Sequence, residues 1–209
     1  MHQPRNVQPI CRSFISDFKV DGNKVVGLAA VYESRTNIGN MFEEVIERGA
    51  FDSSDLTDVL FFVNHDMSKI PLARSRRNNG SSTMRLTLDE RGLNMEACLD
   101  VDNNNEAKAL YSAIQRGDMS GMSFLFTIKE DSWENLNSEM PTRRIKKIAR
   151  VREVSAVNFP AYHDTEILAR DAASLESERK ALDHARALGV ETQQRYDVWR
   201  LKNANLAQK

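Results

Sequence analysis

Five apolar residues in a row, 59–63 (VLFFV), run straight into Asn64-His65-Asp66, and this junction constrains the fold more than any other feature. The run is too short for a helix. Its lack of alternation means that both faces of the resulting strand must be covered. A chain with such a strand builds layers on two sides of it, and a polar triplet at the strand's end sits where a rigid frame can hold chemistry in place.

Around this strand the pattern is mostly period two. Phe14, Ser16, Phe18 and Val20 share one parity, Asp21-Gly22-Asn23 signals a turn, and residues 24–32 (KVVGLAAVY) continue as a strand. A hairpin is therefore expected at the start of a β-rich domain, and a second one from 83–88 and 93–101 around Asp89-Glu90-Arg91-Gly92. Residues 41–51 (MFEEVIERGAF) instead place Phe42, Val45 and Ile46 at helical spacing and predict a short helix stopping near Gly49. A further helix is predicted over 106–116, capped by Asn103 or Asn104, striped by Ala107, Leu110 and Ile114, and stopped by Gly117. Residues 120–128 (SGMSFLFTI) read as a strand leaving that helix. Residues 143–157 add one or two more strands, closed by Phe159-Pro160. The expected class is α+β: a β-rich, partly closed antiparallel barrel with surrounding helices and a helical C-terminal extension.

Composition changes at Asp171. From there to Lys209 there is one glycine and no proline, and Leu175, Leu182, Leu188, Tyr196, Trp199 and Leu206 form only a thin apolar stripe. The expected organisation is a flexible lead-in over 1–11, one domain over 12–170, and a helical tail over 171–209 that docks weakly or orders on binding.

Bulk properties exclude several function classes. A formal net charge of -1 gives no field to gather nucleic acid or an anionic membrane. The opening MHQPRNVQPICRSF is polar and broken by Pro4 and Pro9, unlike a secretory leader, and no apolar run approaches the roughly 18 residues of a membrane span. Cys11 and Cys98 lack metal-ligand spacing and are expected as free thiols in a reducing compartment. No metal site or cofactor is expected, since histidines, cysteines and carboxylates do not cluster at ligand spacing and no phosphate-cradling glycine loop is present. The basic clusters Arg74-Ser75-Arg76-Arg77 and Arg143-Arg144-Ile145-Lys146-Lys147 lack interleaved aromatics. They read as solvated loops beside acidic neighbours, or as docking points for an acidic partner.

Serine hydrolysis needs a hydroxyl, a base, a group that orients the base, and oxyanion donors. His65 and Ser123 supply the first two types at strand positions, but only tertiary folding can unite them. Taken singly, such a histidine is more often structural or solvated, and such a serine more often a small packing residue.

The joint context adds to this. Phe62-Val63-Asn64-His65-Asp66, then Asp89-Glu90-Arg91-Gly92-Leu93, then Ile114-Gln115-Arg116-Gly117-Asp118-Met119-Ser120-Gly121-Met122-Ser123-Phe124 resembles the tailed-phage prohead (capsid-maturation) serine protease family. Val151-Arg152-Glu153-Val154-Ser155-Ala156-Val157 followed by Pro160-Ala161-Tyr162 is similar to that family's third block. The resemblance runs over roughly 25–165 in the family's order. It implies Ser123 as nucleophile and His65 as general base.

The family is similar in fold to herpesvirus assembly proteases, whose third site residue falls, in this chain, near Glu153. That carboxylate is expected either to orient His65 or to form a surface salt bridge with Arg150 or Arg152. Asp66 is the competing orienter, although strand neighbours point to opposite faces. Ser120 is the competing nucleophile, on the face opposite to Ser123. Leu125 stands where the family usually has glycine, a departure that bears on the pocket and strand geometry.

The resemblance implies a serine endopeptidase acting inside the assembling prohead in the host cytoplasm. Its partners would be the major capsid protein and scaffold segments, with autocleavage and room for self-association; from the charge and hydropathy, no specific nucleic acid and no membrane are expected. The alternatives are a non-catalytic prohead scaffold that keeps the fold and a nucleic-acid-binding module; the charge balance disfavours the latter.

Overall fold

The computed structural model describes residues 9–16, 19–158 and 169–206. In chain order these form β1 (Ile10–Ile15), β2 (Lys19–Asp21), β3 (Lys24–Val31), β4 (Arg35–Ile38), β5 (Phe42–Ile46), β6 (Leu60–Val63), β7 (Ala73–Arg74), β8 (Met84–Leu88), β9 (Gly92–Cys98), α1 (Asn105–Arg116), β10 (Gly121–Glu134), β11 (Thr142–Val157) and α2 (Ala169–Leu206). The closure at Phe159-Pro160 and the Pro160-Ala161-Tyr162 block lie outside the described residues.

The protein is a strand-rich α+β structure with a C-terminal helix. The strands lie in two sheets instead of the expected partly closed barrel, and among the described residues neither sheet closes on itself. One sheet has seven strands, in the order β1-β10-β11-β5-β4, with β6 on β11 and β7 on β6. Nor is it purely antiparallel, because β6 runs parallel to β11. The other is the four-stranded β2-β3-β9-β8. The predicted first hairpin is present as β2–β3, but the alternating run before it belongs to both sheets: β1 pairs with β10 instead. The second hairpin, β8–β9, forms as read.

The short helix predicted over 41–51 is the strand β5 followed by turns. The spacing of Phe42, Val45 and Ile46 fits a helix. The extended backbone wins because it gains ladder partners, including Glu47 N–H to Ile145 O at 3.0 Å, and because β-branched Val45 and Ile46 favour a pleated surface. α1 forms as predicted. The Asn104 side chain accepts from Glu106 N–H and Ala107 N–H, and Gly117, at φ 78°, donates back to Ala113 O and Ile114 O. Such a cap contributes about 1 kcal/mol.

Contacts divide the chain into two compact units. The first holds most of both sheets and the main core. There Met122, Phe124 and Phe126 take one face of β10 and are essentially fully buried, Phe124 stacking on Phe126 at 4.5 Å and tilting against Phe51 at 6.0 Å. Burying a phenylalanine contributes about 1.5–3 kcal/mol, so this face fixes the register that turns the intervening Ser123 the other way. Gly92 starts β9 at φ 153°, and a Cβ there would run into the backbone oxygen of Ala30. Gly92→Ala is therefore expected to lower the unfolding free energy by more than about 1 kcal/mol, read from a urea midpoint at unchanged slope.

The second unit gathers residues 36–44, 133–143 and the C-terminal helix. Leu182 is buried with Ile38 and Phe42, and Leu175, Trp133 and Leu136 pack around them. Arg143 is buried beside them, with Nη1 2.9 Å from Glu178 and 3.6 Å from Glu44 and its guanidinium 5.5 Å from the centre of the Trp133 ring. Val190, Tyr196 and Trp199 are exposed, the two aromatics stacking at 6.0 Å.

Candidate active site

Strand register in the first unit brings the chemistry together. β6 runs parallel to β11 with Leu60 opposite Glu153 and Val63 opposite Ala156, so the chain leaves β6 beside Ala156, and the turn that follows brings His65 back to Glu153 and Ser155. Asn64 N–H donates to Ala156 O (2.9 Å), and the Asn64 carboxamide oxygen accepts from Asn158 N–H (3.0 Å). Both Asn64 (φ 51°) and His65 (φ 56°) are left-handed, a conformation that costs a non-glycine residue about 1–2 kcal/mol. Two such residues in succession turn the chain sharply at the end of a buried strand, and the bonds to β11 hold the turn.

His65 there faces two partners, one at each ring nitrogen. Its Nε2 lies 2.7 Å from Ser123 Oγ, and its Nδ1 is hydrogen-bonded to Glu153 Oε1. The other carboxylate oxygen of Glu153 accepts from Ser155 Oγ–H at 2.8 Å, and Ser155 Oγ itself accepts from the backbone N–H of His65 at 3.2 Å. Glu153 is 1% exposed, so its charge is compensated by these contacts and not by water. The salt bridges considered for Glu153 are absent from its described contacts; Arg150 pairs instead with Asp55 at 3.4 Å.

Because Glu153 can only accept when ionised, the Nδ1–H points at it, and a neutral His65 presents a bare Nε2 to Ser123. Burial alone would lower the pKa of His65. Hydrogen bonds to Cys11 and Glu153, with Coulomb attraction behind them, outweigh it and raise the pKa above the ordinary 6.5.

The competing residues lie elsewhere. Asp66 Oδ1 accepts from Ser68 N–H (3.2 Å) and Ser68 Oγ–H (2.5 Å). Ser120 is exposed, and its carbonyl receives Ser16 N–H at 2.9 Å. Leu125 is half-buried on the Ser123 face of β10, opposite Cys11 in the β1 register. The basic clusters are largely paired with acidic neighbours: Arg74 with Asp58, Arg144 with Glu47, and Lys147 with Glu130.

Three site residues were not assigned roles from the sequence. Ser13 sits opposite Ser123 in the ladder, and its Oγ–H donates to Ser123 Oγ at 2.9 Å. Cys11 lies two residues earlier, with Sγ 3.1 Å from His65 Nε2. Ser155 shares its strand face with Glu153, a period-two relation that follows from a strand over 143–157. Ser123 Oγ also lies 3.0 Å from Arg12 O, and Ser123 is completely buried, whereas the His65 side chain keeps 23% exposure. Cys11, His65 and Glu153 place donor atoms within 4.8 Å of one another. The sulfur lies nearer Nε2 while the carboxylate engages Nδ1, an arrangement suited to passing a proton through the ring more than to clasping one ion.

A hydroxyl, an imidazole and a buried carboxylate joined in series on a strand-rich α+β frame have the arrangement of a serine-hydrolase site. The chain belongs to the caudovirus prohead serine protease family, whose model matches residues 15–180. Among solved structures it is similar to the bacteriophage T4 capsid assembly protease gp21, at 13% identity over 75% of this chain and all of that one, with a TM-score of 0.42. No curated protein matches the sequence. Among the described residues no helix is long and apolar enough to cross a membrane.

Proposed function

We propose that the chain is a serine endopeptidase that cleaves scaffold and capsid-protein segments, and itself, during maturation of a phage prohead. The observation that carries this reading is the 2.7 Å contact of Ser123 Oγ with His65 Nε2, backed by Glu153 on Nδ1, in a chain of this family. His65 takes the Ser123 proton as Oγ attacks a peptide carbonyl, and Glu153 stabilises the imidazolium that forms. The imidazolium then protonates the leaving amine. Water, activated by the same histidine, opens the acyl-enzyme and frees Ser123. The setting is the inside of the assembling shell in the host cytoplasm. The ends of the chain, read from the sequence as 1–11 and 171–209, are the natural self-cleavage or shell-targeting segments, with Ile10 and Cys11 staying with the domain as part of β1.

A fluorophosphonate probe tests the site directly. The probe is expected to attach to Ser123, located by peptide mass spectrometry, and to be lost with His65→Ala; an unlabelled Ser123 in the native chain contradicts the reading. A second reading, a prohead protein that keeps the fold without proteolysis, draws on the complete burial of Ser123 and on Leu125, and that same negative result favours it.

The raised pKa of His65 gives a signed pH dependence. As an imidazolium, His65 donates Nε2–H to Ser123, whose own hydroxyl then turns to Arg12 O; only after losing that proton does Nε2 accept from Ser123. The kcat/KM profile is therefore expected to rise with pH through an ionisation above 6.5. Stability runs the opposite way. A folded pKa above the unfolded one contributes stability that is fully present below 6.5 and is lost as pH climbs through the raised value. Urea midpoints measured across that range check the second half.

A further inference from the structure

Two nucleophiles share one imidazole in this site. Cys11 Sγ lies 3.1 Å from His65 Nε2 and 3.4 Å from Ser123 Oγ, on the strand that pairs with the nucleophile strand. Cys11 is half-buried and carries a free thiol, whereas Ser123 is completely buried. Cys11 is thus the more exposed residue of the two, and the proteolytic steps above make no use of its sulfur. A thiol is also intrinsically the stronger nucleophile, and an imidazole nitrogen within hydrogen-bond reach can take its proton as it attacks. Cys11, His65 and Glu153 together form a nucleophile, a base and an orienting carboxylate in series, parallel to the set ending in Ser123.

We propose that Cys11 is a covalent modification site built into the catalytic centre: small disulfides cap it with His65 as base, and the cap shuts off Ser123. The Cys11 sulfur attacks one sulfur of the reagent, and its proton passes through His65 to the departing thiolate. The reagent's S–S bond breaks and a new one forms to Cys11, so that the Cys11 sulfur is oxidised and the leaving sulfur is reduced to a thiol. The cap occupies space beside Ser123 Oγ and His65 Nε2 that an acyl group needs. Reduction removes the cap and returns the site to its starting state. The inhibitory half of this proposal rests on the protease reading of Ser123. The reactive-thiol half rests on the Cys11–His65 geometry alone.

The test uses the full chain treated with glutathione disulfide. Peptide mapping follows both cysteines, and fluorophosphonate labelling follows Ser123 before treatment, after it, and after dithiothreitol. Cys98, half-buried on β9 outside the cluster, is the internal reference. Cys11 is expected to form its mixed disulfide about ten-fold faster than Cys98, an advantage that His65→Ala removes. Ser123 labelling is expected to fall in step with Cys11 occupancy and to return on reduction. In Cys11→Ala the disulfide is expected to leave Ser123 labelling where it stood in that variant untreated.

Equal rates at the two cysteines overturn the proposal, as does full Cys11 occupancy with undiminished Ser123 labelling. An untreated chain that takes no probe at Ser123 contradicts the protease reading and, with it, the inhibitory half. The ratio of Cys11 to Cys98 rates then decides the reactive-thiol half by itself.

Discussion

Replacing His65 with alanine is expected to slow peptide hydrolysis by about 10⁴-fold or more, with little change in KM. Nothing else among the contacts described for Ser123 can serve as its base. Ser13 Oγ–H donates to Ser123 Oγ, Arg12 O only accepts, and the Cys11 sulfur at 3.4 Å is a weak acceptor. A loss of that size corresponds to about 5.5 kcal/mol in the barrier, more than one misplaced hydrogen bond accounts for. The double replacement of His65 and Ser123 is expected to be little worse than either single one, because the two act as a unit. Losses that multiply instead would mean that they contribute separately.

Glu153 carries the second large effect. Glu153→Gln keeps the volume and one hydrogen bond but removes the charge that stabilises the imidazolium. Its amide can also donate to Nδ1, which reverses the tautomer and points the wrong nitrogen at Ser123. A fall of about 10³–10⁴ in kcat is expected, together with a downward shift of the pH midpoint, since Glu153 is one of the two groups that raise the pKa of His65. Glu153→Ala is expected to cost stability as well. It leaves His65 Nδ1–H and Ser155 Oγ–H without their acceptor in a nearly closed site, at about 1–3 kcal/mol for each group that stays unpaired. Activity assays beside urea unfolding of the two variants separate the roles. A purely structural Glu153 predicts that the glutamine variant keeps its activity and its pH midpoint.

The local features of this fold were legible because short-range chemistry specifies them. The end of β6 at Asn64-His65-Asp66, the β8–β9 hairpin and α1 with its Asn104 and Gly117 caps each carry their signal within a few residues. β5 was misread because Phe42, Val45 and Ile46 satisfy a helical stripe. Glu44 breaks the strand alternation: it is 2% exposed and sits 3.6 Å from Arg143, a partner that no local pattern could supply. Neither sheet closes into a barrel among the described residues, and nothing in the run from Arg12 to Val20 marks that it divides between the two sheets. Cys11 and Ser13 come from residues 112 and 110 positions away from Ser123, so their place in the site depends on strand register alone.

The measurement that bears most directly on the central claim is intact-mass analysis of the native chain and of Ser123→Ala, each co-expressed with its capsid and scaffold partners. The account predicts shortened capsid or scaffold products, and a shortened chain, with the native protein and full-length species alone with the alanine variant. Identical full-length products from both, in correctly assembled shells, would contradict it.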